Sequence, residues 1–166
     1  MAIGGSSNSM LHLPAIAYEA GVEFSFDDVE KISETTPLLS KIKPSGDDYP
    51  ADFSRAGGVA ALMNELKEYG LLKDNLTVTG KNIFENIKNV KVKDDAVIRT
   101  KETAYSQTGG LKILYGNIAP EGAICKSAGV LPEMMKHTGP ARVFDQEEPA
   151  VKAIYGGEIK PGDVVV

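Results

Sequence analysis

The first half of the chain places its apolar residues at helical spacing. Met10, Leu11, Leu13, Ile16 and Ala17 follow one another with a period near 3.6 and run up to Gly21, a glycine suited to closing a helix. Ahead of them, Gly4-Gly5-Ser6-Ser7-Asn8 supplies N-cap residues. Pro14 falls inside this pattern, either in the first turn of a helix that starts near Leu13 or as a kink in a longer one. A second helix is predicted from Ser25, with Asp27, Asp28 and Glu30 near its positive end, and it must stop before Pro37. Lys43-Pro44-Ser45-Gly46 and Asp48-Tyr49-Pro50 read as turns. A third helix carries Val59, Leu62, Met63 and Leu66 on one face and ends at Gly70.

The pattern changes after residue 75. Leu76–Thr79 is short and β-branched, and Lys81–Val90 returns to helical spacing through Ile83, Phe84 and Ile87. Val97-Ile98, Leu111–Tyr115, Ala123–Lys126 and Ala141–Phe144 have strand character, each bounded by glycine or proline. A helix is predicted from Asp145 through Ile154, closed by Gly156-Gly157, and Asp163–Val166 follows a turn as a last strand. The fold class predicted is mixed α/β. Residues 1–75 form a mainly helical part, residues 76–166 an α/β or barrel-like unit, and the boundary lies near Asp74–Leu76.

Composition narrows the function. The 166 residues are 42% hydrophobic and 25% charged, which argues for a packed globular chain. Residues 1–75 carry 6 basic and 12 acidic groups, net −6, and residues 76–166 carry 12 and 11, net +1. No run of four Lys or Arg occurs and aromatic residues are 7%, so no nucleic acid is expected as a partner. Met10–Tyr18, the longest uncharged apolar stretch, is half a membrane span, so no membrane partner is expected either. The start has neither the basic residues nor the apolar core of a secretory signal, and a cytoplasmic protein is expected. Cys125 stands alone, which excludes a cysteine-built zinc or iron–sulfur site within one chain. A glycine-rich turn at one end and Val-Val-Val at the other suggest a piece of something longer.

Several residues are candidates for chemistry, and each has a plainer role beside the functional one. At Gly4–Asn8, backbone N–H groups, two hydroxyls and an amide at a positive helix end suit a carboxylate or phosphate; the plainer role is an ordinary helix start. His12, one turn into an apolar helix, is expected to be a packed, hydrogen-bonded histidine before it is a base or ligand. His137 is expected in a loop, and the two histidines form no metal pattern. Asp27, Asp28, Glu30 and Glu34 serve the helix dipole and solvation, although paired carboxylates also bind divalent metals. Cys125, in an alternating strand, is expected to be a small buried hydrophobe. These residues alone yield one candidate anion pocket and no reaction.

A longer set of collinear motifs carries a resemblance. Ile3–Leu13 with Ala15–Gly21, Leu39–Gly46, Gly57–Met63, Gly70–Leu72, Leu76–Lys81, Gly109–Leu111, Gly116–Gly122, His137–Asp145 and Ile159–Val165 occur in an order that resembles the dihydroxy-acid dehydratases across essentially the whole chain. The resemblance implies an internal fragment of such a hydro-lyase. It implies the helical end of the N-terminal domain over 1–75 and the incomplete beginning of a swivelling β/β/α domain over 76–166. It also implies conversion of 2,3-dihydroxy-3-methyl carboxylates to 2-oxo acids in branched-chain amino-acid biosynthesis, with an iron–sulfur cluster and Mg²⁺ in a parent that is a homo-oligomer. In that chemistry a metal acts as Lewis acid on the departing C3 hydroxyl while a base removes the C2 proton.

Departures limit what carries over. The family's cluster cysteines and its metal-binding lysine and carboxylates belong to motifs upstream of Gly4, and Cys125 matches none of them. Its Pro-Glu-Met metal motif and proposed serine base lie beyond Val166, and Pro132-Glu133-Met134 is out of order with that motif. Only Gly4, Gly5, Ser6, Ser7 and Asn8 carry over, as pocket wall for a hydroxy-acid substrate. No catalytic and no metal residue is assigned, and the isolated chain is expected to be inactive and to bind neither cluster nor Mg²⁺. Two alternatives stay open: a sugar-acid or 6-phosphogluconate dehydratase fragment, and a non-catalytic anion-binding remnant. The short Leu76–Gly80 continuation and the form of Gly116–Gly122 favour the dihydroxy-acid branch.

Overall fold

The computed structural model describes residues 1–166 and divides into two compact units, Met1–Gly129 and Val130–Val166. The first unit begins with α1 (Ser9–Glu19) and α2 (Phe26–Thr35). Pro14 sits within α1, where it removes one hydrogen bond without ending the helix. Gly21, at φ +66°, follows the last turn, and the Val22 amide reaches back to the Ala17 carbonyl at 2.9 Å, closing the helix as its glycine predicts. Ser25 and Asp28 cap α2 reciprocally: the Asp28 amide donates to Ser25 Oγ and the Ser25 amide to Asp28 Oδ2. Pro37 follows directly after the Thr36 cap.

Asp48-Tyr49-Pro50 is more than a turn. Pro50 is the first residue of α3 (Pro50–Arg55), with Asp52 accepting from the Tyr49 amide, and α4 (Gly58–Glu68) follows. A short α5 (Ile83–Ile87) lies within the predicted 81–90 segment. Leu76–Thr79 makes a single bridge, Leu76 to Asn82. Val97-Ile98 is not a strand but a buried turn, fixed by the Ile98 amide on the Asp94 carbonyl and the Arg99 amide on the Leu39 carbonyl. Its apolar pair is spent on core filling instead of pairing.

The sheet content is small. β1 (Lys112–Leu114) and β2 (Ala123–Cys125) form an antiparallel pair with Ile113 opposite Ile124. In the second unit β3 (Ala141–Arg142) runs parallel to β4 (Val164–Val165), with α6 (Glu147–Tyr155) as the connection between them. The architecture is mixed helix and sheet; two separate two-stranded ribbons stand where a barrel-like arrangement is predicted, and no sheet closes.

The first unit holds two apolar clusters. One gathers Ala2, Leu39, Phe53, Ala56, Ala61, Leu62, Val97 and Ile98; the other gathers Met10, Val29, Leu111 and Ile113. Residues 1–5 are bonded into both regions. The Ala2 carbonyl accepts from the Leu39 and Ser40 amides, and the Met1 carbonyl accepts from the Gly4 and Gly110 amides. Buried Ser33 joins α2 to the start of β1: its Oγ donates to the Leu111 carbonyl at 2.5 Å, and its carbonyl accepts from the Gly109 amide at 2.6 Å.

Candidate functional site

Gly4–Asn8 forms the turn that leads into α1. Gly4 and Gly5 take φ of +80° and +61°, a region that side chains avoid, so the glycine pair sets the direction of the turn. The pair also permits a close approach. A Cβ on Gly110 would lie 2.5 Å from the Gly4 Cα, and Gly5 rests against Leu111. The glycines thus bring backbone against backbone, which is a packing role distinct from any ligand.

The three polar residues face outward. Ser6, Ser7 and Asn8 are exposed, and Asn8 caps α1 by position without a side-chain hydrogen bond. Beside the backbone bond from the Ser9 amide, Ser6 accepts two bonds within the turn that involve a side chain: Oγ from the Asn8 amide at 3.3 Å and its carbonyl from Ser9 Oγ at 2.5 Å. The Ser9, Met10 and Leu11 amides bond to the Ser6, Ser7 and Asn8 carbonyls, so much of the donor capacity of this helix end is used locally. The exposed Ser7 hydroxyl and the Asn8 side-chain carboxamide make no hydrogen bond within the chain.

An open groove of about 980 Å³ lies at the far end of α1, lined by Pro14, Tyr18, Val22, Phe24, Ser25 and Asp28 among others, with no contribution from residues 4–8. Its one acidic capping group, Asp28, is held below the usual carboxylate range by its hydrogen bonds from the Ser25 hydroxyl and then the Ser25 amide. That is the signature of a cap, in line with the dipole-serving role expected for this acidic stretch.

The remaining candidates are dispersed. His12 is exposed on α1, where a packed histidine is expected; the helix turns it away from the core. His137 lies in a loop of the second unit with Nε2 3.0 Å from the Gly162 carbonyl. Cys125 is half-buried in β2, and no group of three or more His, Cys, Asp or Glu is arranged to hold a metal ion. Pro132–Met134 is a single 3₁₀ turn with Glu133 exposed.

Sequence reasoning passed over two features. The Arg99 guanidinium stacks 3.6 Å from the centre of the Tyr105 ring, with the Lys41 ammonium 5.2 Å from the same ring. Ser40 is fully buried, and its hydroxyl has no hydrogen-bond partner. Neither leaves a local signal in the sequence, because each arises from contacts between distant segments.

Comparison with known proteins gives this geometry its context. The family model described as "Dihydroxy-acid/6-phosphogluconate dehydratase N-terminal" matches residues 1–86, and its C-terminal counterpart matches residues 96–166. Among curated relatives, the dihydroxy-acid dehydratase of Caldanaerobacter subterraneus subsp. tengcongensis is 55% identical over 167 residues. Those of Agathobacter rectalis and Carboxydothermus hydrogenoformans are 54% and 53% identical. Each match covers 100% of this chain and 30% of the relative, so the chain spans about a third of the length of the relatives it matches. With both family models matched in order and the relatives aligned from end to end of these residues, the chain belongs to the dihydroxy-acid/6-phosphogluconate dehydratase family.

Proposed function

We propose that these 166 residues serve within a dihydroxy-acid dehydratase, a hydro-lyase that converts 2,3-dihydroxy-3-methyl carboxylates to 2-oxo acids in branched-chain amino-acid biosynthesis, as a cytoplasmic homo-oligomer. The observation that carries this reading is identity above 50% along the entire chain to proteins named for that activity. Within such an enzyme, residues 1–75 belong to the N-terminal domain and 76–166 begin the swivelling C-terminal domain, where further strands would complete a barrel-like sheet. Gly4 and Gly5 shape a pocket wall, and Ser6, Ser7 and Asn8 present hydroxyl and amide groups to the substrate carboxylate. The exposure of Ser7 and Asn8 supports that role.

An iron–sulfur cluster and Mg²⁺ do not fit the residues of this chain. A cluster needs several thiolates, and Cys125 is single and half-buried. Hard cations need several convergent oxygens, and no such group of carboxylates is assembled. The donors for either must come from the remainder of a family-length enzyme, and no step is assigned to the residues present.

The test is a transplant. The 166 residues replace the matched 167 of the Caldanaerobacter relative, and dehydration of a 2,3-dihydroxy-3-methyl carboxylate is assayed beside the isolated chain. Turnover by the chimera and none by the isolated chain is the expected result. Turnover by the isolated chain in reducing buffer with iron, sulfide and Mg²⁺, or a folded chimera without activity, would overturn the proposal. Ser7→Ala and Asn8→Ala in the active chimera should each lower kcat/KM on the order of tenfold, as loss of a polar substrate contact does.

A further inference from the structure

α1 is apolar almost all the way round, yet the first unit covers only a narrow stripe of it. Setting Met10 at zero and advancing about 100° per residue, Pro14 and Ala17 fall within about 40° of it. These three form the inner stripe, Met10 buried and the other two half-buried. Tyr18, Leu11 and Ala15 stand at about 80–140° on one side, Leu13 and Ile16 at about 60–120° on the other, and Glu19 and His12 near the outer pole at about 180–200°. Both flanks are open: Tyr18 is 83% exposed, Leu11 69%, Ile16 64% and Leu13 46%.

This distribution decides what can cover the helix. A helix apolar on all sides is the interior helix of a larger core, whereas one packed on a single face needs one apolar stripe. The two flanks point in nearly opposite directions around the axis, with His12 and Glu19 between them. One flat neighbour, such as a second copy of this chain docked through a two-fold contact, covers one flank and leaves the other wet. Lipid does not suit it: 11 residues reach only about 16 Å, too short to span a bilayer, and α1 has no Lys or Arg to form the basic polar face of an interfacial helix. On the other hand, about seven tenths of each relative has no counterpart in this chain, which is ample polypeptide to enclose a helix from both sides.

We infer that α1 is an interior helix of a family-length enzyme, held between two apolar elements supplied by the part of the relatives this chain does not match. Leu11 and Tyr18 seat against one element, Leu13 and Ile16 against the other. His12 and Glu19 lie along the polar seam where the two elements meet. This rests on the family-length reading proposed above, and it adds the partner surface to that reading.

Hydroxyl-radical footprinting of the 166-residue chain and of the Caldanaerobacter chimera, read residue by residue by mass spectrometry, tests it. Modification of Leu11 and Tyr18, and also of Leu13 and Ile16, should fall at least about fivefold in the chimera. A chimera in which either flank keeps the isolated chain's rate, or one that does not fold, overturns the inference. So does a discrete dimer of the isolated chain that protects both flanks, since the occupant is then a second copy. As a second reading, Leu11→Asp with Ile16→Asp should leave the Tm of the isolated chain within about 2 °C and lower that of the chimera by about 10 °C or more. An unshifted chimera counts against the inference. Turnover is scored separately: protection without turnover removes the activity proposal and keeps this one, and turnover without protection does the reverse.

Discussion

The two compact units are held together by different means. Met1–Gly129 contains two apolar clusters and every buried apolar residue of the chain except one, Ala153. Val130–Val166 has 37 residues, a parallel pair two residues deep, and one helix laid across the connection. Chains below about 40 residues rarely bury enough surface to fold without disulfides, metals or a partner. The second unit exposes Val143, Ile154, Tyr155, Val165 and Val166, the apolar residues a larger core would use. The difference teaches that family identity is uniform along a chain while the means of folding are not.

Hydrogen exchange should display this contrast most strongly. Amides of α4, packed on the first cluster, should exchange on the order of a thousandfold more slowly than those of α6. Equal protection of the two helices would erase the comparison. Leu39→Ala, at a fully buried position, should cost about 3 kcal/mol in urea unfolding, whereas Ile154→Ala, half exposed in α6, should cost less than about 1 kcal/mol. Gly110→Ala should cost roughly 2 kcal/mol, because the added Cβ presses on the Gly4 backbone, which cannot give way as a side-chain tip would.

The smallest effect concerns the α2 cap and sharpens the comparison within the first unit. Ser25→Ala should cost about 1 kcal/mol near neutral pH. Asp28 titrates below its ordinary value because the Ser25 hydroxyl, then the Ser25 amide, stabilises the carboxylate. A lowered folded value means that this contribution is complete above the unfolded pKa of about 3.9 and is lost as pH falls through the folded one. Acid titration of the Ser25→Ala variant by circular dichroism should therefore show a flatter loss of stability below about pH 4 than the parent chain.

Local chemistry made α2, α4 and α6 legible, since a capping residue, a repeating apolar face and a closing glycine all lie within a dozen residues. α1 was legible as a helix, but its burial was not: periodicity announces an apolar face without saying what lies against it. Val97-Ile98 misled for the same reason, because β-branched residues fill a core from a turn as well as from a strand. Pro50 hid a helix start inside what reads as a turn, the two sharing the same fixed φ. At the candidate site, the glycine turn and the exposed Ser7 and Asn8 follow from the sequence. The approach of Gly4 to Gly110 does not, since it depends on residues more than a hundred positions apart.

The position of Ala2 beside Leu39, Val97 and Ile98 has a consequence for synthesis on the ribosome. Of the residues described, 1–5 leave the exit tunnel ahead of the partners that hold them, which follow from Leu39 to Gly110 and Leu111 over the next hundred residues. The first cluster cannot close until Ile98 is out, and the second cannot close until Ile113 is out. Until then the inner stripe of α1 lacks the cover that Leu111 and Ile113 give it. The nascent chain therefore passes through a stage, seconds long at ordinary elongation rates of about 5–20 residues per second, in which its most apolar helix is the part most in need of a chaperone.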